Sequence, residues 1–506
     1  MARDLPKKQN ETEHDRYRCV ERAEKFALIV DACDYFLTLR KVMIAAQTQL
    51  LLIGWDFDLE IEMVPEASDE EGCAPDGFPN KLGPFIEEVL NRNSELHIYM
   101  LKWNGSVLVA PGRLLPTAVL AAFGSERTHV ALDGHHPFGA CHHQKIVVAD
   151  DSVAFCGGID MTEDRWDTSE HLPDDPRRVK KNGTPSEPWH DTTSAVSGDA
   201  ARALGTLARE RWERARGEVL EAPAFSKGSI WPSDLEVDAF DVDVALARTV
   251  PPFDNAPLIN EIEQSFLHGI RTARESIYIE SQYFACDSIC AALEERLREE
   301  GGPQVVVINP KYALSAFEDD AMHEQRDRML AHLRAADHES RFRIYFPVTT
   351  AGQPIYVHAK VFIVDTSALH IGSANINNRS MGFDTECNVV VEKQGDLIAG
   401  FRARLLSEHL GVRPEEFEAV LAQEGALIAA IEKLNGPSGR GLRTICERET
   451  TMRSAVLADT GIMDPRYQHG DEPSTGQGIR PRHIAATSAI ALVGYMAWRI
   501  WRRTRR

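Results

Sequence analysis

The chain has 506 residues, 43% of them hydrophobic and 26% charged, and its 56 Lys and Arg against 77 Asp and Glu leave a net charge of −21. That composition excludes a disordered, collagen-like or polytopic membrane chain. The acidity argues against sequence-independent nucleic-acid binding, which needs a basic surface. An anionic substrate would need positive charge gathered locally inside a negative body.

In chain order, the first segment, MARDLPKKQNETEHDRYR, has no apolar core and reads as neither a signal peptide nor a membrane start. The nine cysteines are odd in number and form no C-x-x-C pair, so they read as scattered reduced thiols, not a disulfide framework or zinc site. From about Ala45 onward a set of elements occurs twice. Buried-strand patterns at Leu50–Gly54, Glu95–Trp103, Thr128–Gly134 and His142–Asp150 return at Ile277–Phe284, Gln304–Tyr312, Arg341–Val348 and Val357–Asp365. Amphipathic segments such as KLGPFIEEVLNR and CAALEERLREE alternate with them, as βαβ units do. The expected organisation is an N-terminal half at 15–235, a C-terminal half at 236–432, a helical extension and flexible linker at 433–482, and a tail at 483–506. The segment 171–188 is Pro-rich and charged and predicts a long loop. The acidic stretch 235–245 fits a strand or an edge segment. In the tail, Ile484–Trp498 carries no charge and an Arg-rich end follows. As a helix it would reach about 22 Å, short of a ~30 Å hydrocarbon core. Tyr495, Trp498 and Trp501 suit an interfacial belt, and the arginines suit anionic headgroups. A membrane-associated tail is expected, whether spanning or lying flat. The body is expected in the cytoplasm, with a secreted or cell-envelope location as the alternative.

Each repeated set of elements ends in the same pattern. His143, Lys145 and Asp150 form H-x-K-x4-D, and His358, Lys360 and Asp365 repeat it. The match runs on: Gly157 and Gly372 lie 14 residues after their His, Gly158 and Ser373 lie 15 after, and Asp160 and Asn375 lie 17 after. In a strand, His143 and Lys145 share a face while Ile146 and Val148 point the other way; His358 and Lys360 do the same against Val361 and Ile363. The glycine after the following strand would let backbone approach a bound group. If the halves pack about a pseudo-twofold axis, two imidazoles and two ammonium groups converge on one cavity. That set suits phosphoryl transfer without a metal. Ammonium groups neutralise the phosphodiester oxygens, one His attacks phosphorus, and the other protonates the leaving alkoxide and then activates water or alcohol. No metal and no cofactor are expected, and EDTA should leave activity intact.

These residues, with the words HHQKIVVADDSVAFCGGIDMTEDRWD, PWHDTTSAVSGDAA, IYIESQYF and GSANINNRSMGFDTE, resemble the phospholipase D superfamily, whose members carry two HKD motifs in one chain. The resemblance covers roughly residues 20–410. It implies an α/β fold of two homologous α/β/α halves with central mixed sheets packed about a pseudo-twofold axis. It also implies a phosphohistidine intermediate and hydrolysis or headgroup exchange of phosphatidylcholine-like lipids. Position by position, His143 matches the nucleophile and His358 the general acid/base, although spacing alone leaves those two roles interchangeable. Lys145 and Lys360 match phosphate-binding lysines, and Asn375 a phosphate-contacting amide, with Gly158 and Ser373 beside it as substrate contacts. Glu386 matches the carboxylate that orients the second-motif His, and Asp167 is the candidate orienter of His143. Asp150 and Asp365 complete the motifs and are expected to brace the site. Asp160 stands where many relatives carry an amide, and a carboxylate there would repel phosphate, so it is expected to support from behind.

Trp55, Trp103, Trp166 and Trp189 read as core aromatics, with a headgroup pocket as the other possibility. His190 and Asp191 fit either a local backbone bond or the site. His135, His136 and His142 could be imagined as a metal cluster, which the chemistry does not need. The preferred expectation is a monomeric phospholipase D or transphosphatidylase acting on a phospholipid membrane, with no nucleic-acid partner. A cardiolipin-synthase-like phosphatidyltransferase, an HKD nuclease or other phosphodiesterase, and an inactive membrane adaptor are the alternatives.

Overall fold

The computed structural model describes residues 16–105, 120, 124–224, 230–448, 454 and 464–465. The eight duplicated patterns are strands. They run Gln49–Gly54, His97–Trp103, Thr128–Asp133 and Ile146–Ala149, then Ser276–Glu280, Gln304–Ile308, Phe342–Val348 and Val361–Val364. Gln49–Gly54 and Ser276–Glu280 are buried along their whole length. Strands covered by helices on both faces read as continuous apolar runs, which is why they stand out in the sequence.

All of these belong to one mixed sheet of 16 strands. From one edge the order is Thr128–Asp133, His97–Trp103, Gln49–Gly54, Ile146–Ala149, Val153–Gly157, Thr192–Gly198 and Cys19–Val30. It continues through Ala239–Val250, Glu386–Glu392, Ala368–Gly372, Val361–Val364, Ser276–Glu280, Gln304–Ile308 and Phe342–Val348. The second list is the first in reverse. The halves therefore join edge to edge through their longest strands, antiparallel from Cys19 opposite Leu246 to Phe26 opposite Ala239. The acidic stretch left open by the sequence enters the central strand Ala239–Val250. Val242 and Val244 are buried there while Asp241 and Asp243 alternate outward to solvent.

Three apolar clusters make the layers. Helices Asp199–Arg216 and Gly395–Leu410, one from each half, bury Leu204, Leu207, Trp212, Ile398, Phe401 and Leu405 in a single core on one face of the sheet. Phe26 and Phe401 meet in that core with ring centroids 5.9 Å apart, and truncating either to Ala would cost about 3–5 kcal/mol. On the opposite face the halves keep separate cores. Helices Ala32–Ala45 and Leu82–Arg92 cover the first. Helices Glu261–Thr272, Asp287–Arg298 and Ala316–Ala336 cover the second.

The segment 171–188 contains no helix and no named strand, as its composition predicts. The region expected as a helical extension instead contributes a strand, Gly441–Thr444, that pairs antiparallel with Phe342–Val348 at the sheet edge. Among the described residues no helix is long and apolar enough to cross a membrane. The tail at 483–506 lies outside the described residues.

Candidate active site

Both H-x-K triplets end just before their strands, in extended chain that hydrogen-bonds to the other half. The His143 amide donates to the Thr385 carbonyl at 2.9 Å, and the His358 amide donates to the His190 carbonyl at 2.8 Å. The residue after each acceptor is a buried carboxylate, Glu386 or Asp191. Each imidazole therefore meets the carboxylate of the opposite half. His143 Nδ1 lies 3.0 Å from Glu386 Oε2, and His358 Nδ1 lies 2.7 Å from Asp191 Oδ2.

This crossing corrects two expected pairings. Glu386 orients the first-motif His, not His358. Asp167 does not hold His143; it accepts from His171 (2.9 Å), Arg178 (2.8 Å) and the Trp189 amide (2.9 Å). Asp191, which the sequence left open, takes the orienting role. A signal for it exists in the ladder. Gly157 pairs with Thr193 and Gly372 with Asn388, and each carboxylate precedes the glycine's partner by two residues. The equivalence is hidden because Asp191 lies 34 residues after Gly157 while Glu386 lies only 14 after Gly372; the long loop occupies the difference.

The lysines complete one shared centre. Lys145 Nζ donates to the His143 carbonyl at 2.9 Å and faces Asp160 Oδ2 at 3.2 Å. Lys360 Nζ donates to the His358 carbonyl. Burial, then Lys145 and Lys360, hold the His143 imidazole well below its ordinary value. Burial, then Lys360, Arg165, Lys145 and His143, do the same to His358. Each half's lysine thus acts on the other half's histidine, and the Lys360 side chain of the second half lies 3.3 Å from where a Cβ on Gly158 of the first would stand. Burial also lowers Lys360 to about 7, pushes Glu386 up to about 7 and pushes Asp191 up to about 6. Neutral imidazoles that donate from Nδ1 to a carboxylate keep a lone pair on Nε2, the form required of a nucleophile or base.

The remaining expected residues divide by position. A Cβ on Gly158 would come within 2.2 Å of Asp191 Oδ1, so glycine makes room for the carboxylate itself. Ser373, at the matching position, donates its hydroxyl to Glu386, and Ser380 donates to the other oxygen at 2.7 Å. Ser373 therefore supports the orienter. Asn375 is buried, its amide N–H donates to Ser380 Oγ at 3.1 Å, and its Oδ1 has no hydrogen-bond partner among the described residues. Asp160 is ion-paired with Lys145 as a supporting role requires.

Asp150 and Asp365, counted with the motifs as catalytic but expected to brace, hold backbone and make no contact with either histidine. Asp150 accepts from the amides of Gln47, Thr48 and Gln49, and Asp365 from those of Arg274, Glu275 and Ser276. Both adopt a left-handed backbone, φ 50° and 51°. They tie down the chain entering the neighbouring strand, on the order of 20 Å from the histidines at about 3.3 Å per residue.

Trp189 is not simply core. It stacks on Tyr356 (centroids 4.6 Å apart) and lies 5.2 Å from the His358 ring. Trp55 and Trp103 stack on one another at 5.8 Å, and Trp103 donates to His136 at 3.1 Å. His142 is taken up by Asp133 and Thr385. Among the described residues two sets able to hold a divalent cation lie instead behind Asp191: His190 with Glu280 and His409, and the larger one of Asp31, His171, His190 and Glu408. In the larger set the imidazole nitrogens lie 2.8–3.6 Å from the carboxylate oxygens, against about 3.3 Å between ligands of a tetrahedral ion bound at 2.0–2.1 Å. The outer nitrogens of His171 and His190 meet the buried carboxylates Asp167 and Glu280, both at 2.9 Å, the support a metal-bound imidazole needs. The same atoms also pair as imidazolium and carboxylate. Burial opposes protonation of His171, but Asp31, Asp167 and Glu408 hold it up at about 9.

Comparison with known proteins bears on the family and the fold. The family described as Phospholipase D matches residues 124–295, and the one described as Cardiolipin synthase, PLD-like domain, matches residues 266–407. Phospholipase D alpha 1 of Vigna unguiculata is 26% identical over 409 residues, covering 56% of this chain and 50% of that protein. Phospholipase D A of Dictyostelium discoideum is 22% identical over 479 residues, covering 77% of this chain and 36% of that protein. The chain thus spans half or less of the length of these relatives. The solved phosphatidylserine synthase of Haemophilus influenzae Rd KW20 has the same fold, with a TM-score of 0.55 at 10% identity over 89% of this chain and 96% of that one. With a duplicated His-Lys pattern, a mirrored sheet and these matches to both halves, the chain belongs to the phospholipase D superfamily.

Proposed function

We propose that the protein is a phospholipid phosphodiesterase of the phospholipase D type, transferring a phosphatidyl group from a glycerophospholipid to water or an alcohol. The observation that carries this is the crossed arrangement, with two His–carboxylate pairs and two buried lysines around one centre. Lys145, Lys360 and Asn375 bind the phosphodiester oxygens. His143 Nε2 attacks phosphorus and forms a phosphohistidine. His358 gives a proton to the departing alkoxide, and its imidazole then takes a proton from the incoming hydroxyl as the P–N bond breaks. Arrival of the phosphate anion offsets the lysine charge that keeps both imidazoles neutral, so His358 gains its proton as substrate binds. Assigning His143 as nucleophile follows the family resemblance. It also fits the surroundings of His358, where Trp189, Tyr356 and Arg165 flank the leaving-group side.

Transfer to an alcohol is the same chemistry with a different second acceptor, and relatives named as cardiolipin and phosphatidylserine synthases favour it as the second reading. Retention at a lipid surface through residues 483–506 is part of the proposal; a chain ending at 482 should lose co-flotation with anionic vesicles that the full chain shows. The deciding experiment is lipid turnover with and without ethanol by wild type, His143→Ala and His358→Ala. Phosphatidic acid, and phosphatidylethanol when ethanol is present, are expected from wild type alone. Turnover that survives either substitution would reject the mechanism.

A further inference from the structure

Arg165 lies 22 residues after His143 and stands beside the second histidine. Its guanidinium carbon lies 4.3 Å from the centroid of the Trp189 ring, which stacks on Tyr356 and flanks His358. Its charge acts on His358, Lys360 and Asp191 together. Yet Arg165 makes no hydrogen bond or ion pair with the described residues, and its Nε is buried. The Trp189 indole N–H is in the same condition, on a side chain that is 3% exposed. Two unpartnered donors in one stacked pair need acceptors, and neither group can accept. The conjugated guanidinium also takes a place over Trp189 where a trimethylammonium would bind an indole face. Glu318 is a further carboxylate that the Arg165 charge reaches; burial raises it, and the Tyr283 hydroxyl donates to it.

We infer that Arg165 and Trp189 form a subsite for an acidic leaving group, so that the preferred phospholipid carries a carboxylate on its alcohol, as a serine headgroup does, in place of a quaternary ammonium. The guanidinium offers paired N–H donors to the carboxylate oxygens and the indole N–H a third, while His358 protonates the ester oxygen of the same alcohol. The inference rests on the phosphodiesterase reading and deepens it.

Vesicles holding equal phosphatidylserine and phosphatidylcholine present both headgroups at one surface charge, and the released serine and choline are measured in the same reaction. Wild type should release more serine than choline. The serine-to-choline ratio should fall at least tenfold in Arg165→Gln, fall less in Trp189→Phe, and be partly restored in Arg165→Lys. A partly unfolded variant lowers both products alike and leaves the ratio unmoved, so the ratio reads the subsite and not stability. A wild-type ratio at or below one, or a ratio unchanged in Arg165→Gln, overturns the subsite while leaving the phosphodiesterase standing. Release of neither alcohol by wild type rejects the phosphodiesterase reading and the subsite with it.

Discussion

The two histidine centres share a backbone and differ in their side chains. In both, the His amide is fixed to the residue before a buried carboxylate, and the lysine carbonyl accepts from the following glycine, Gly157 at 3.4 Å and Gly372 at 3.2 Å. At His143 the carboxylate is a Glu gripped by two serine hydroxyls. At His358 it is the shorter Asp, admitted by Gly158 and steadied by the Thr192 amide at 2.8 Å. His143 also keeps more solvent contact, 16% side-chain exposure against 5% for His358. The lesson is that a duplicated frame sets the positions of two imidazoles equally, while the side chains behind them give the two different surroundings, and the proposed split between nucleophile and proton shuttle rests on that difference.

The strongest way to break this comparison is to trap the covalent state. With radiolabelled phospholipid, His358→Ala should hold label on the protein and turn over at least ~10⁴-fold slower, while His143→Ala should carry none. Equal labelling of the two variants would erase the distinction drawn here. Glu386→Gln and Asp191→Asn come next, each lowering kcat by about 10²- to 10⁴-fold through loss of the correct tautomer and orientation. Asp167→Asn should lower kcat far less than either, and a loss as large as that of Glu386→Gln would restore Asp167 as the orienter.

Gly158→Ser transplants the second-half residue into the first. Because the added Cβ falls 2.2 Å from Asp191 Oδ1, the carboxylate must shift, with about 1–3 kcal/mol of stability lost and a 10- to 100-fold fall in kcat. Unchanged kinetics would show that the two positions are interchangeable. Asp150→Ala and Asp365→Ala should each cost about 1–3 kcal/mol in urea melts by stripping buried amides of their acceptor, with kcat of the folded fraction kept within a few-fold.

The smallest effect is a slope. Folding raises the Glu386 carboxyl from 4.5 to about 7, so between those values the folded protein holds a proton that the unfolded chain has released. That group's contribution to stability therefore falls as pH rises from about 4.5 to about 7 and is level above. Glu386→Gln stays neutral in both states. Its Tm relative to wild type should climb across that window, and a flat difference would mean the carboxyl is not displaced.

Much of the molecule could be read from local pattern. Continuous apolar runs marked strands such as Gln49–Gly54 and Gln304–Ile308, because burial on both faces leaves no room for polar alternation. The H-x-K spacing marked the histidines and lysines, because a chemical group repeated at fixed offsets survives in one dimension. Asp150 and Asp365 carried the same mark for a different reason, since a repeated fold repeats its backbone anchors along with its chemistry.

Residue order by itself determined the duplication, the α/β class and the two His-Lys pairs of the shared centre, since each depends on neighbours a few positions apart. Only the tertiary structure decided which carboxylate serves which histidine, that the halves share one sheet, and that Trp189 and Arg165 stand beside His358. Glu386 reaches His143 across 243 residues and Asp191 reaches His358 across 167. A strand carries no sign of its partner's identity until the central pairing of Cys19–Val30 with Ala239–Val250 brings the two edges together.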